Sequence, residues 1–470
     1  MGFVLSVLYF ITYYLTPATL FGPLAAFRIE LILAVLVILI SFPALVKSFI
    51  LKTPQSLALI GLTFAVVLSV LIGERWPGGS VKAFLDFIPN ALAYFLVCLH
   101  CNSKRKLQVL VLMMLAVCLF VIAIGSFDLL HEVQERAPVL PGQDLTLETD
   151  AINSWNMEHP YLFAVEGREG EVLYRLKGLG DISDPNDFGQ LMVCVIPLMF
   201  IFWRAKKMLR NIAFVILPEC LLLLGIFLTH SRGALLALVG IVIVAARRRI
   251  GTLPALLLAG ALIVAAMALD FTGGRQISTL AGEDRTMLWG EGLGILKTHP
   301  LFGVGLGYMP DFTEESKTAH NSLVVCAAEL GMFGLYFWTL FLFPTVRDAL
   351  ATASPGKVSE GEPIVAEEGL FPQATRTIET VDKAEVNLLG RLLVLSFTGF
   401  FVTGWFLSRA FVMTLYLLSG MVEVVYEMAL QRGMIAPRMR MERLLPYAGG
   451  LSIALIVLMY IMLRVVNFTH

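Results

Sequence analysis

The sequence predicts an all-α, polytopic integral membrane protein of about 12–13 transmembrane helices with two large outer loops. Three observations predict it. Of 470 residues, 57% are hydrophobic and only 15% are charged, against roughly 25% charged in a soluble domain. The mean hydropathy is +0.79. The apolar residues fall in runs near the length of about 20 residues that a helix needs to cross a bilayer. Lipid must therefore be the solvent for most of the chain. The net charge of -1 points to no nucleic-acid partner.

The expected spans, in order, are about 3–21, 29–46, 55–73, 82–99 and 106–126. After a polar stretch they resume at about 188–203, 211–228, 233–246 and 252–268. A second polar stretch precedes about 322–344, and spans at about 388–407, 409–430 and 444–463 complete the set. The first run has no basic segment before it and is followed at once by others, which reads as an anchor rather than a signal peptide. The chain thus divides into N-terminal helices (1–126), an outer loop (127–187), helices interrupted by a Ser-Arg-Gly break (188–268), a second outer loop (269–320), one helix (321–344), a connector (345–387) and C-terminal helices (388–470).

Basic residues cluster at Lys47 and Lys52, Lys104-Arg105-Lys106, Arg204 to Arg210, Arg247-Arg248-Arg249 and Arg432 to Arg443. Simple alternation of spans puts all of them on one side, which the positive-inside rule makes cytoplasmic. The loops at 127–187 and 269–320 and the break at Ser231-Arg232-Gly233 then face outward. The connector at 345–386, rich in Pro, Gly, Ser and Glu, has the composition of a disordered segment on the inner side.

The six cysteines lie in or beside apolar runs, so no disulfide framework is expected. Cys98 and Cys101 form a C-x-x-C without a second ligand pair, which reads as a helix end. Within the apolar runs, Asp86, Glu219, Glu329, Glu423 and Glu427 are the ionisable residues to explain.

Candidate chemistry gathers on the outer face. Ser231 can cap a helix that begins at Arg232-Gly233, and a capped N-terminus beside an arginine suits an anion; the alternative is an arginine snorkelling at a membrane edge. Arg285 opens a segment, 284–297, too charged to span and with one apolar side, which reads as a helix in the headgroup region. Gly303-Val304-Gly305-Leu306-Gly307 follows no strand, so it is no dinucleotide site, and a flexible turn suffices. His320 precedes Asn321-Ser322 at a helix start, where an imidazole can cap or can accept a hydroxyl proton. Asp184-Pro185-Asn186 reads as a turn into a helix, and Arg175 and Asn186 are candidates to line the outer site. Arginine stabilises a multiply charged leaving group bidentately. No cluster of metal-ligand type stands out on this face, so metal-free chemistry without a cofactor is expected.

At these residues the chain resembles the O-antigen ligase and polymerase superfamily of bacterial envelopes. The resemblance is carried by Leu228-Thr229-His230-Ser231-Arg232-Gly233, Asp284-Arg285 with Trp289, Pro300 to Gly307, Ala319-His320-Asn321-Ser322 and Glu329-Leu330-Gly331-Met332-Phe333-Gly334, with the Asp184-Pro185-Asn186 turn also fitting. It covers about 180–345. It implies a GT-C-like, inverting, metal-independent glycosyltransferase that takes a glycan from undecaprenyl diphosphate at the periplasmic face of the inner membrane. In that reading Arg232 and Arg285 hold the diphosphate and His320 is the general base, with Arg175, Asn186, Ser231 and Asn321 as further substrate-binding candidates. The acceptor hydroxyl, on lipid A-core, a growing glycan or a protein, stays open, as does the oligomeric state. A lipid-linked glycan transporter and an envelope scaffold are the alternatives from other classes.

Overall fold

The computed structural model describes residues 1–20, 22–135, 154–166, 172–269, 271, 279–354 and 381–468. All thirteen expected runs are helical. They form α1 (Gly2–Leu15), α2 (Ile29–Lys47), α3 (Pro54–Gly73), α4 (Pro77–His100), α5 (Lys104–Glu135), α6 (Pro185–Phe202), α7 (Met208–Thr229), α8 (Arg232–Ile250), α9 (Thr252–Ala268), α11 (Ser322–Ala353), α12 (Lys383–Gly404), α13 (Met413–Leu430) and α14 (Met441–Phe468). Between α9 and α11 lies α10 (Thr279–Thr298). Among the described residues, ten helices are long and apolar enough to cross a membrane, fewer than the expected 12–13. The other three fall short for physical reasons. α1 and α9 have 14 and 17 residues, and α8 carries Arg232 at one end and Arg247, Arg248 and Arg249 at the other.

Several helices outrun their apolar stretches. α4 begins at Pro77 and α11 continues to Ala353. Hydropathy marks only the part of a helix that lipid requires, whereas the helix ends at a cap. The flanks of the expected 345–387 connector are therefore helical; its remainder, 355–380, lies outside the described residues. At the other boundary, the run at 409–430 starts as a helix only at Met413, which leaves 405–412 as a loop.

α11 is the hub, packed against α3, α10, α12, α13 and α14. Over its apolar window 78% of residues are buried inside the protein, and 89% for α13, against 11% for α2 and 22% for α14. The first two helices form the centre and the last two turn to lipid.

α11 is broken. Gly331 has φ 65° and ψ -169°, backbone that only glycine adopts readily. The groups freed by the break are taken by the Gly-rich stretch. The amides of Val304 and Gly305 donate to the carbonyls of Ala328 and Glu329, at 3.1 and 2.9 Å. The amides of Met332 and Phe333 donate to Pro300 and Leu301, at 2.8 and 3.0 Å. Such a break inside a membrane helix is tolerated only where the protein satisfies it. A Cβ on Gly331 would lie 2.4 Å from the Leu301 carbonyl carbon. Expected as a flexible turn, 303–307 is instead pinned into the bundle.

The 127–187 loop also holds regular structure. α5 extends into it, and β1 (Leu162–Glu166) pairs antiparallel with β2 (Val172–Leu176), Phe163 opposite Arg175. This hairpin departs from the all-α expectation only locally.

Candidate active site

Four elements converge at the end of the bundle where α8 and α11 begin. The first is the break between α7 and α8. His230 caps α7 in the left-handed conformation, φ 47°, and its Nδ1 lies 3.0 Å from the Phe271 carbonyl. Ser231 caps α8, its hydroxyl accepting from the Ala234 amide. Arg232 is thus the first residue of a capped helix, half-buried at the positive end of the helix dipole.

The second element is the start of α11. Asn321 caps it by accepting from the amides of Leu323 and Val324, and its own amide donates to the Trp405 carbonyl at 3.1 Å. His320 directly precedes this cap with φ 47°. A left-handed non-glycine residue is uncommon, histidine less so than most, and it persists where its surroundings impose it. Here they do: the His320 amide donates to Ser408 Oγ at 2.9 Å, and the Ala319 carbonyl accepts from Trp289 Nε1 at 2.8 Å.

α10 is the third element. It lies against α11, with Leu288, Trp289, Leu293, Ile295 and Leu296 buried and Gly292 close to Val324. This is the apolar side read from the sequence, and it packs on protein. It delivers Arg285, half-buried, to a position 5.8 Å over the Phe406 ring.

The fourth is the loop at 405–412. Phe406 faces both Arg285 and Gly233. Ser408 donates to Thr318 Oγ at 2.7 Å. The Arg409 amide donates to Ser322 Oγ at 3.0 Å, while its guanidinium donates to Asp187 and lies 3.8 Å from Asp181. This loop and its ion pairs were not singled out from sequence.

The charges of the three principal candidates act in a chain, Arg232 on Arg285 and Arg285 on His320. Burial and then the charge of Arg232 lower the proton affinity of Arg285. Burial and then the charge of Arg285 lower the pKa of His320, with Lys317 acting in the same direction and Asp184 opposing. No acidic group among the described residues forms an ion pair with Arg285. By contrast Arg409, against burial that works to lower it, is held above its ordinary value by Asp187 and then Asp181. A neutral imidazole beside clustered guanidinium groups can accept a proton and place an anion.

The remaining candidates take supporting positions. Arg175 is 3% exposed. Its Nε donates to the Thr229 carbonyl at 2.9 Å and its Nη2 to Asn186 Oδ1 at 3.1 Å. It therefore ties β2 to the start of α6 and to the α7–α8 break. Asp184 caps α6 through the Asn186 amide, as the Asp-Pro-Asn turn predicted. Ser231 and Asn321 are 1% and 0% exposed and engaged as caps, so they shape the site from beneath.

Three of the five apolar-run carboxylates have partners away from this site. Glu423 and Glu427 accept from Arg438. Glu329 is buried, with the amides of Gly307 and Met309 directed at it. Cys98 is buried near the end of α4 and Cys101 is its C-cap.

Comparison with curated proteins finds no match for the chain. Residues 220–339, which contain Arg232, Arg285 and His320, match the O-antigen ligase family, Wzy_C. This match supports the O-antigen ligase and polymerase superfamily for the multi-pass membrane chain, and with it glycosyl transfer at the coarse level.

Proposed function

We propose that the protein transfers a glycan from undecaprenyl diphosphate to an acceptor hydroxyl at the periplasmic face of the bacterial inner membrane, with inversion and without a metal ion. The observation that supports this reading is that three separate elements carry Arg232, Arg285 and His320, with Arg285 within reach of the charge of Arg232 and His320 within reach of that of Arg285. Like charges held together favour an anionic ligand, and a diphosphate offers guanidinium groups bidentate partners.

In the reaction, the acceptor oxygen attacks the anomeric carbon from the face opposite the diphosphate. The bond from that carbon to the phosphate oxygen breaks, and undecaprenyl diphosphate leaves with the electron pair. His320 takes the hydroxyl proton and becomes imidazolium. Arg232 and Arg285 balance the charge that develops on the leaving group. The lowered pKa of His320 keeps it neutral, hence able to act, at neutral pH. Arg175 and Asn186 position the α7–α8 break. Repeat-unit polymerases and protein O-oligosaccharyltransferases share this chemistry and differ in acceptor.

One observation favours a second reading, a carrier for the lipid-linked glycan: discontinuous helices mark transporter sites, and α11 is broken at Gly331. Here the groups freed by the break bond to residues 300–305, which leaves them occupied rather than presented to a cargo.

The test is transfer by purified protein in nanodiscs with chelator present, a lipid-diphosphate glycan as donor and acceptors offered singly. Product on lipid A-core, on a growing glycan or on a protein supports the reading and names the acceptor. Donor left unconsumed with all three overturns it, and lipid flipping becomes the assay.

A further inference from the structure

At the opposite end of the bundle a cavity of about 560 Å³ is lined by Arg347, Arg438, Arg440, Arg443 and Glu442 with Pro437 and Met439. Arg347 lies on the part of α11 beyond the break at Gly331, roughly 20–25 Å past it at 1.5 Å per residue. The cavity is therefore separate from the site at His320.

Its walls differ in kind. Arg438 is the fixed one: it donates to Glu423 with both terminal nitrogens and to Glu427, and it lies 4.9 Å over the Tyr426 ring. Arg347 Nη1 is 3.5 Å from Asp348. Arg440 and Arg443 are exposed and flank the first turn of α14, where the helix dipole favours an anion. The lining itself holds four guanidinium groups and one carboxylate, Glu442, while the carboxylates paired with Arg347 and Arg438 lie outside it. Each guanidinium carries five donors and no acceptor, so the lining is built to donate. Its volume falls in the range of sites that hold a small organic ligand, about 300–1,000 Å³, more than a bare phosphate ion fills. Leu445 and Tyr447, one turn further along α14, are exposed on its surface, which sets the cavity near the level where hydrocarbon gives way to headgroups.

We propose that this cavity binds the phosphate of an anionic phosphoester, supplied either by a phospholipid headgroup or by a soluble ester. Tetrahedral phosphate oxygens match several guanidinium donors at once, and Arg438, locked by its carboxylates, gives the site a rigid floor.

The test uses the full-length protein in detergent and measures equilibrium binding of three probes: short-chain phosphatidylglycerol, glycerol 3-phosphate and a diacylglycerol of the same chain length. Wild type is compared with Arg440→Gln/Arg443→Gln and with Arg432→Gln, which lies outside the lining. Arg438 is left intact because it holds Glu423 and Glu427. We expect saturable binding of phosphatidylglycerol, weakened about tenfold or more in the double variant and unchanged in Arg432→Gln. The ligand-free melting temperature should be the same in all three proteins. Binding of glycerol 3-phosphate as well supports a site that needs no acyl chain; binding of phosphatidylglycerol alone assigns the lipid source. Equal affinity in the double variant, equal binding of diacylglycerol, or no saturable binding of either phosphoester overturns the proposal.

Discussion

Arg285 and Arg409 both meet the loop at 405–412, yet their surroundings are opposite. Arg409 belongs to that loop and is paired with Asp187 and Asp181. Arg285 rests over Phe406 with burial and Arg232 both lowering its proton affinity. In the first arrangement the guanidinium charge is met by carboxylates inside the fold. The second costs some free energy, because a guanidinium is brought near a like charge, and on the proposed function that cost is recovered when the diphosphate binds. On the proposed function, the difference separates an arginine that builds the site from one that serves it.

The largest effect that could break this distinction is on turnover. Arg285→Ala and His320→Ala should each lower glycan transfer by about a hundredfold or more, read as product formed per enzyme. The melting temperature of Arg285→Ala should stay near wild type, since its contact with Phe406 is worth about 1 kcal/mol or less. Arg409→Ala should show the reverse emphasis. It strands Asp187, 5% exposed, and Asp181, and should cost about 3 kcal/mol of stability, visible as a lower melting temperature in detergent. An Arg285→Ala protein that melts as early as Arg409→Ala would erase the contrast.

A smaller effect sharpens it. If neutral His320 is the base, transfer falls as pH drops through its pKa, so the acid limb should lie below the ordinary imidazole value of about 6.5. The positive charge of Lys317 disfavours the imidazolium, so Lys317→Gln should move the limb to higher pH. Asp184 favours it, so Asp184→Asn, which keeps a residue able to cap α6, should move the limb to lower pH. A pH–rate profile of each variant checks both signs.

Much of the fold was legible because lipid imposes a simple rule. Every backbone group in hydrocarbon must be paired within its own helix, so long apolar runs announce helices. The break in α11 was not legible, because Gly331 reads like any glycine in a membrane helix and its partners lie in a separate polar loop. The β1–β2 hairpin was hidden for a similar reason: its strands sit in an acidic loop with no strong alternation. Arg232, Arg285 and His320 stood out as polar groups at the edges of apolar runs. Arg409 did not. It borders a run in the same way, but its partner Asp187 is 222 positions away, and only the folded chain joins them. Ser231 caps α8, as its place before Arg232-Gly233 suggested, and Asn321 caps α11.

The most direct test of the diphosphate assignment separates donor binding from transfer. Binding of a lipid-diphosphate glycan would be measured for wild type, Arg285→Gln and His320→Gln, beside transfer by the same preparations. The arrangement of charges predicts that Arg285→Gln loses both, whereas His320→Gln binds donor as wild type does and fails to transfer it. Wild-type donor affinity in Arg285→Gln, or unimpaired transfer by His320→Gln, would contradict it.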